Sequence, residues 1–409
     1  MMMKKTVPAA LALCLALMAV SCIYPFTPES EDGSGTLVVE GDIFIGEPTT
    51  VSLSYAAPVG KTLKSAFPSS AEVWVEDDAG TVFRGQRQRL GQDSDALTFT
   101  VDTREADPSR DYRLHVNVAD EGREYVSSWE RVCSAPVIDS LSYNLDFTRD
   151  RLNVALSMHS GNESYFKWDY VEDWEYHAPY FATLKLIVTQ TQYYSGNVHV
   201  SVNVQPMDHS KNENTYYCYG HNVSKNIMTF STEKQTDDRF VDLEFRPIDR
   251  DDLRISYLYR IRVMLEPLSR DAYDYWENIK TNSDYNGSLF APNPSEVVGN
   301  IRCVQDPGVF VLGYINVAQR ARKELVIDAA EHRFFKSKES IAGNPELISF
   351  TDWKTYYENG YLPYTYYIPN DISQTYWLPA RCVDCMKWVS GGARGVSRNK
   401  PEDWPPQTE

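Results

Sequence analysis

Glu72-Val73-Trp74-Val75-Glu76, then Asp77-Asp78-Ala79-Gly80, then Thr81-Val82-Phe83, is the stretch that decides the fold class. Its first five residues alternate polar and apolar, the period of a half-buried strand. Asp and Gly between two such runs mark a turn, so the stretch reads as a β-hairpin. The same period recurs outward from it, at 36–43, 51–55, 97–101 and 112–118. Short strands at this spacing predict an antiparallel sandwich. It spans residues 36–135 and ends near Ala135-Pro136.

A second series begins at Pro136-Val137-Ile138-Asp139-Ser140-Leu141. Runs at 152–156, 165–168, 184–188, 241–245, 257–263, 309–315 and 323–327 place a second sandwich over 136–330. Residues 189–225 are rich in Tyr, Asn and Ser and read as a long hairpin or insertion loop. One helix is expected at about 270–282. Ser269 caps it, Asp271 suits its positive end, and Ala272, Tyr275, Trp276 and Ile279 share one face. Beyond residue 330 the period fails. Residues 331–409 hold Trp353, Trp377, Trp388 and Trp404 among scattered Pro, and read as an irregular aromatic tail. The expectation is a mainly β chain: two tandem immunoglobulin- or fibronectin-like sandwiches, a helix-bearing insertion and that tail.

The start of the chain gives an address. Lys4 and Lys5 precede an apolar run from Val7 to Val20, then Ser21-Cys22. This is the layout of a secretory leader over residues 1–21, shorter than the about 20 apolar residues of a spanning helix. Ala19-Val20-Ser21-Cys22 reads as a lipobox, so Cys22 is the expected lipidated first residue of the mature chain. Residues 22–35, with Pro25, Pro28, Glu29, Glu31, Asp32, Gly33 and Gly35, suit a tether. The net charge of −17 argues against nucleic acid or an anionic membrane surface as partner. Tyr outnumbers Phe by 27 to 16, as on pleated, half-wet surfaces.

Besides Cys22, the mature chain has Cys133, Cys218, Cys303, Cys382 and Cys385. An exported chain keeps disulfides, and five thiols leave at least one unpaired. Cys382-Val383-Asp384-Cys385 lacks the second ligand pair that zinc needs. A disulfide from Cys382 or Cys385 to Cys303 or Cys133 is expected, with Cys303 the first choice, stapling the tail to the second sandwich.

No nucleophile elbow, metalloprotease helix, P-loop or dinucleotide fingerprint is present, and no cofactor or metal is expected. The densest segment is Trp168-Asp169-Tyr170-Val171-Glu172-Asp173-Trp174-Glu175-Tyr176-His177. Acids beside aromatic rings suit a sugar-binding or glycoside-cleaving site. The favoured reading is a strand and loop whose rings alternate into a core while the acids face water. If the chain binds a ligand here, Trp168, Glu172, Asp173, Trp174 and Tyr176 are the residues to do it. Asp139-Ser140-Leu141 resembles a short O-glycosylation acceptor, although a strand role suits it as well.

Several segments together carry a family likeness. They are Leu268-Ser269-Arg270-Asp271-Ala272-Tyr273-Asp274-Tyr275-Trp276-Glu277-Asn278, Gly287-Ser288-Leu289-Phe290, Pro294-Ser295-Glu296, Gly299-Asn300-Ile301 and Val311-Leu312-Gly313-Tyr314-Ile315. With Val39-Glu40-Gly41, 136–141 and 382–385, they resemble the Bacteroidota lipoproteins of domain of unknown function 4249. Ala291 stands where an acidic residue is usual. The family brings no catalytic residues with it. The resemblance implies an outer-membrane lipoprotein, a non-enzymatic partner of a TonB-dependent receptor in nutrient uptake. A surface hydrolase of glycan or peptide and an envelope adhesin are the rivals. Glu29, Glu31 and Asp32 follow Cys22 at a distance, which leaves both faces of the outer membrane open.

Overall fold

The structure, a computed structural model, describes residues 35–56, 65–89, 94–192, 198–208, 213–234, 237–284, 297–336, 345–388, 396–401 and 403–405. The leader, Cys22, the tether as far as Ser34 and the Gly287–Phe290 stretch lie outside them. The chain is mainly β, in several sheets.

The hairpin that opened the reading is present. Ala71–Asp77 and Val82–Arg87 pair antiparallel, with Trp74 opposite Arg84. Asp77 closes its turn by accepting from the backbone N–H of Ala79 at 3.0 Å and of Thr81 at 2.7 Å. This hairpin sits mid-path in a single nine-stranded sheet that runs from Thr36–Glu40 to Ile301–Cys303. The inward residues, among them Val39, Leu53, Val75, Phe99, Leu114 and Tyr125, form one core.

That body does not close at residue 135. Ile301–Cys303 pairs with the edge strand Arg123–Ser127, and Val317–Ala318 runs parallel to Ile43–Phe44. Val311, Ile315 and Val317 fill its core. Residues 300–318 therefore complete the first body, where the strand pattern assigned them to the second. An uncapped edge and an unfilled core explain the return. Gly313 makes the crossing possible. Its φ is +138°, and a Cβ there would lie 2.2 Å from the Val39 carbonyl oxygen.

In the second body, Val137–Asp146, Arg151–His159 and Arg239–Asp249 form a three-stranded sheet. A second sheet orders Ala321–Asp328, Leu258–Leu268, Tyr165–His177, Tyr217–Val223 and Val396–Ser397, with Met228–Ser231 also beside Tyr165–His177. Leu152, Val154, Leu156 and Met158 of the first sheet share a core with Phe166, Tyr259, Ile261 and Val263 of the second. The helix runs Arg270–Asp284. Ser269 Oγ accepts from the Ala272 N–H at 3.2 Å, and Ala272 and Tyr275 pack on Leu268 and Tyr314.

The tail is not irregular. Glu346–Ser349, Asp371–Pro379 and Tyr361–Ile368 form a three-stranded antiparallel sheet beside the helix Trp353–Glu358. Trp353 and Trp377 pack there against Leu184 and Val204, from the hairpin of Leu184–Gln192 and Val198–Pro206. Pro363 made the segment read as loop. It stands at a register shift in the ladder, where a strand tolerates proline.

The expected disulfide is also corrected. Cys385 bonds to Cys218, with Cα atoms 5.9 Å apart, while Cys133 and Cys303 are buried free thiols and Cys382 is buried elsewhere. Cys303 belongs to the core of the first body and Cys382 to a separate cluster with Leu378 and Val383. Neither is within reach of the other. The bond closes a separation of 167 residues, worth about 5 kcal/mol in the chain-entropy account. Non-reducing peptide mapping is expected to recover the Cys218–Cys385 pair. Reduction should make residues 345–388 the first to be cut in limited proteolysis; unchanged cleavage would show that the bond does not hold the tail.

Candidate functional site

The acid- and aromatic-rich segment forms the strand Tyr165–His177. It lies between Leu258–Leu268 on one side and Tyr217–Val223 and Met228–Ser231 on the other. A central strand sends successive side chains to opposite faces, so Glu172 and Asp173 point apart. All five expected site residues are buried: Trp168, Glu172, Asp173, Trp174 and Tyr176. They form no exposed binding surface, because both faces of the strand are covered.

On the even face Trp168, Trp174 and Tyr176 enter the core shared with the three-stranded sheet. Trp174 lies across its neighbour strand on Gly220, where a Cβ would come within 2.0 Å of the indole. Glu172 is wholly enclosed. Its Oε1 accepts from Arg246 Nε at 2.7 Å and Tyr259 Oη at 2.6 Å. Its Oε2 accepts from Asn222 Nδ2 at 2.8 Å and a second Arg246 nitrogen at 3.2 Å. Burial pushes the carboxyl up, but the Arg246 guanidinium and these hydrogen bonds hold it below the ordinary range. Four donors on two oxygens leave no position for a substrate proton.

The odd face carries charge along its length. Asp173 accepts from His221 Nδ1 at 2.8 Å, Arg260 at 3.0 Å and Arg262 at 2.8 Å. Burial raises its carboxyl, and these partners more than reverse the shift. Near the strand's end Glu175 accepts from Trp404 Nε1 at 2.7 Å and meets His177 Nε2 at 2.7 Å. Arg260 donates to the Asp403 carbonyl at 2.7 Å. The C-terminal Asp403 and Trp404 thus cover this end of the face.

The other end meets the first body. Lys167 Nζ lies 3.0 Å from Asp42 Oδ2 and 3.2 Å from Glu266 Oε2, with the ammonium 4.4 Å from the centre of the Trp276 ring. Asn316 ties the two carboxylates together. Its backbone N–H donates to Asp42 and its Nδ2 to Glu266, both at 3.0 Å. Burial, then the nearby Asp42 charge, raises the Glu266 carboxyl above its ordinary value. Next to this group a pocket of about 260 Å³ opens, bordered by Phe44, Thr50, Asp169, Met264 and Arg320. Lys167, Asp169, Glu266 and Arg320 were not singled out as site residues in the sequence. The available signal was Lys167 and Asp169 two apart on a strand whose even positions are aromatic except at Glu172, and Glu266 inside an apolar run.

A mainly β chain with a closed acidic strand and one polar pocket between its two bodies defines no enzyme class. Its sequence does define a family. The chain belongs to the domain of unknown function DUF4249 family, whose profile matches residues 23–324. The tail, with Cys382 and Cys385, lies beyond that match. No curated protein matches the sequence. Among solved structures it is similar to a DUF4785 family protein from Legionella pneumophila, with 11% identity and a TM-score of 0.19. The likeness takes in 56% of this chain and 52% of that one, so the chain spans about half of that neighbour's length.

Glu172→Ala leaves the half-buried Arg246, and the buried Tyr259 hydroxyl, without their carboxylate. Removing one member of a buried pair costs about 3–5 kcal/mol, and that loss is expected in denaturant melts at pH 7. Because the folded carboxyl lies below its unfolded value, its contribution is present above pH 4.5 and fades as the pH falls further. The mutant should therefore converge on the wild type in acid. A loss under 1 kcal/mol at pH 7 would mean that the cluster is open to water.

Proposed function

We propose that this chain is a lipid-anchored lipoprotein of the Bacteroidota outer membrane that does no chemistry of its own. In this reading it assists a TonB-dependent receptor in capturing a nutrient. The observation that carries the proposal is the leader ending in Ala19-Val20-Ser21-Cys22, followed by a tether rich in Pro, Gly and acidic residues. One acyl chain gives marginal membrane binding and two or more give a stable anchor. No helix among the described residues is long and apolar enough to cross a membrane. The arrangement of Glu172 and Asp173 supports a binding role over hydrolysis. The pair points to opposite faces and is occupied by Arg246, Arg260 and Arg262.

The receptor contact is assigned to the tail. Leu347, Phe350, Tyr367, Ile368 and Ile372 are large, apolar and exposed there, with Phe350 61% exposed. Grouped apolar residues on a protein surface mark interaction sites, and aromatic anchors dominate binding energy. Two measurements test this. Cys22→Ser should move the protein from the membrane fraction to the soluble one. Pull-down from native outer membrane should recover a TonB-dependent receptor, and Phe350→Asp should lower that recovery at least thirtyfold, about 2 kcal/mol. Unchanged membrane association of the Cys22 variant would refute the anchor. Turnover of a glycan or peptide by the pure chain would favour the hydrolase instead.

A further inference from the structure

The pocket between the two bodies has an unbalanced wall. Three carboxylates, Asp42, Asp169 and Glu266, surround the single ammonium of Lys167. Arg320 also borders it, but that guanidinium is engaged by Glu47 and stands over the Phe44 ring, its carbon 3.9 Å from the ring centre. It is held against the wall. Asp42 and Glu266 are each bonded through both oxygens, to Lys167 and Asn316. Asp169 is not. Among the described residues its carboxylate receives one long hydrogen bond, from Ser224 Oγ at 3.5 Å. A carboxylate held half-buried with so little compensation favours a positive charge beside it. Burial, set against Lys167, raises the Asp169 carboxyl above its ordinary value.

We propose that this pocket binds a small organic cation, an alkylammonium or guanidinium compound, whose charged group pairs with Asp169. An anion is disfavoured, since both cations in the wall already hold carboxylates. A metal ion is disfavoured because Lys167 occupies the centre of the carboxylate group, and no cluster of three or more metal-ligating side chains occurs among the described residues. Phe44, Pro48 and Met264 offer an apolar wall for an alkyl stem. The volume of about 260 Å³ lies below the roughly 300–1,000 Å³ of drug-sized sites. It suits a chain of a few carbons. The inference does not rest on receptor binding, because it concerns the isolated chain.

The test uses the full chain purified in mild detergent, at low salt, with calorimetry and thermal shift. The probes are n-butylammonium and agmatine, with butyrate and n-butanol as size-matched controls. Saturable binding of the two cations and neither control is expected. Asp169→Asn keeps the shape and removes the charge. It should weaken binding at least tenfold while the melting temperature stays equal or rises. Thr50→Trp, at an exposed position on the pocket wall, should block the site without touching the ion cluster. Its loss of binding supports the location even where Asp169→Asn disturbs folding. Equal affinity in both variants, preference for butyrate, or saturable binding of sodium or calcium in place of the amines would each overturn the proposal. A receptor pull-down is unaffected by any of these results.

Discussion

A strand covered on both faces cannot leave its charges to water, and Tyr165–His177 carries four that are buried: Lys167, Glu172, Asp173 and Glu175. Each draws its partner from a different part of the chain. Lys167 takes Asp42 from the first body. Glu172 takes Arg246 from the opposing sheet, Asp173 takes Arg260 and Arg262 from the adjacent strand, and Glu175 takes Trp404 from near the C-terminus. Such pairs add little net stability against apolar replacements of the same shape, yet breaking one is expensive. Stability therefore rests on the two apolar cores, and the ion pairs set which surfaces meet.

This division explains what was legible in the sequence. Period two along 72–83 gave the hairpin, because a strand with one wet face writes its burial into alternate residues. The helix at Arg270–Asp284 was legible for the corresponding reason at period 3.6. Sheet membership was not. The segments at 301–303 and 317–318 carry two or three residues each, and only the open edge of Arg123–Ser127 and the Ile43–Phe44 strand decide that they join the first body. The tail sheet escaped for a local reason, a proline at a bulge in a run of tyrosines. The cysteine pairing escaped for a global one. Nothing near Cys218 in the chain distinguishes it from Cys133 or Cys303, and its choice of Cys385 follows from a strand and a short helical turn brought together across 167 residues.

The acidic strand was half legible. Its density of rings and acids marked the right segment, and the alternative of rings alternating into a core is what Trp168, Trp174 and Tyr176 do. The assumption that the acids then face water failed. Asp173 and Glu175 are as buried as the rings, because the first body and the C-terminal residues cover the face that a lone sandwich would leave wet. One sequence shows that a face is polar. It does not show that another part of the same chain lies over it.

The two faces of this one strand also differ in their charge balance. On the even face, one carboxylate at Glu172 receives four hydrogen bonds, two of them from a guanidinium. On the odd face, near Lys167, one ammonium serves two bonded carboxylates with a third close by. Donors in excess hold a carboxylate ionised and closed, which is how a structural ion pair behaves. Carboxylates in excess hold protons or attract cations instead: burial first, and the Asp42 charge after it, raise the Glu266 and Asp169 carboxyls. The imbalance lies where the two bodies meet and where the pocket opens, not in the interior of either core. A purely structural contact gains little from a weakly compensated acid at its rim, since an apolar or amide side chain there would avoid the desolvation. The position of Asp169 is therefore better explained by what the pocket admits than by what the fold requires.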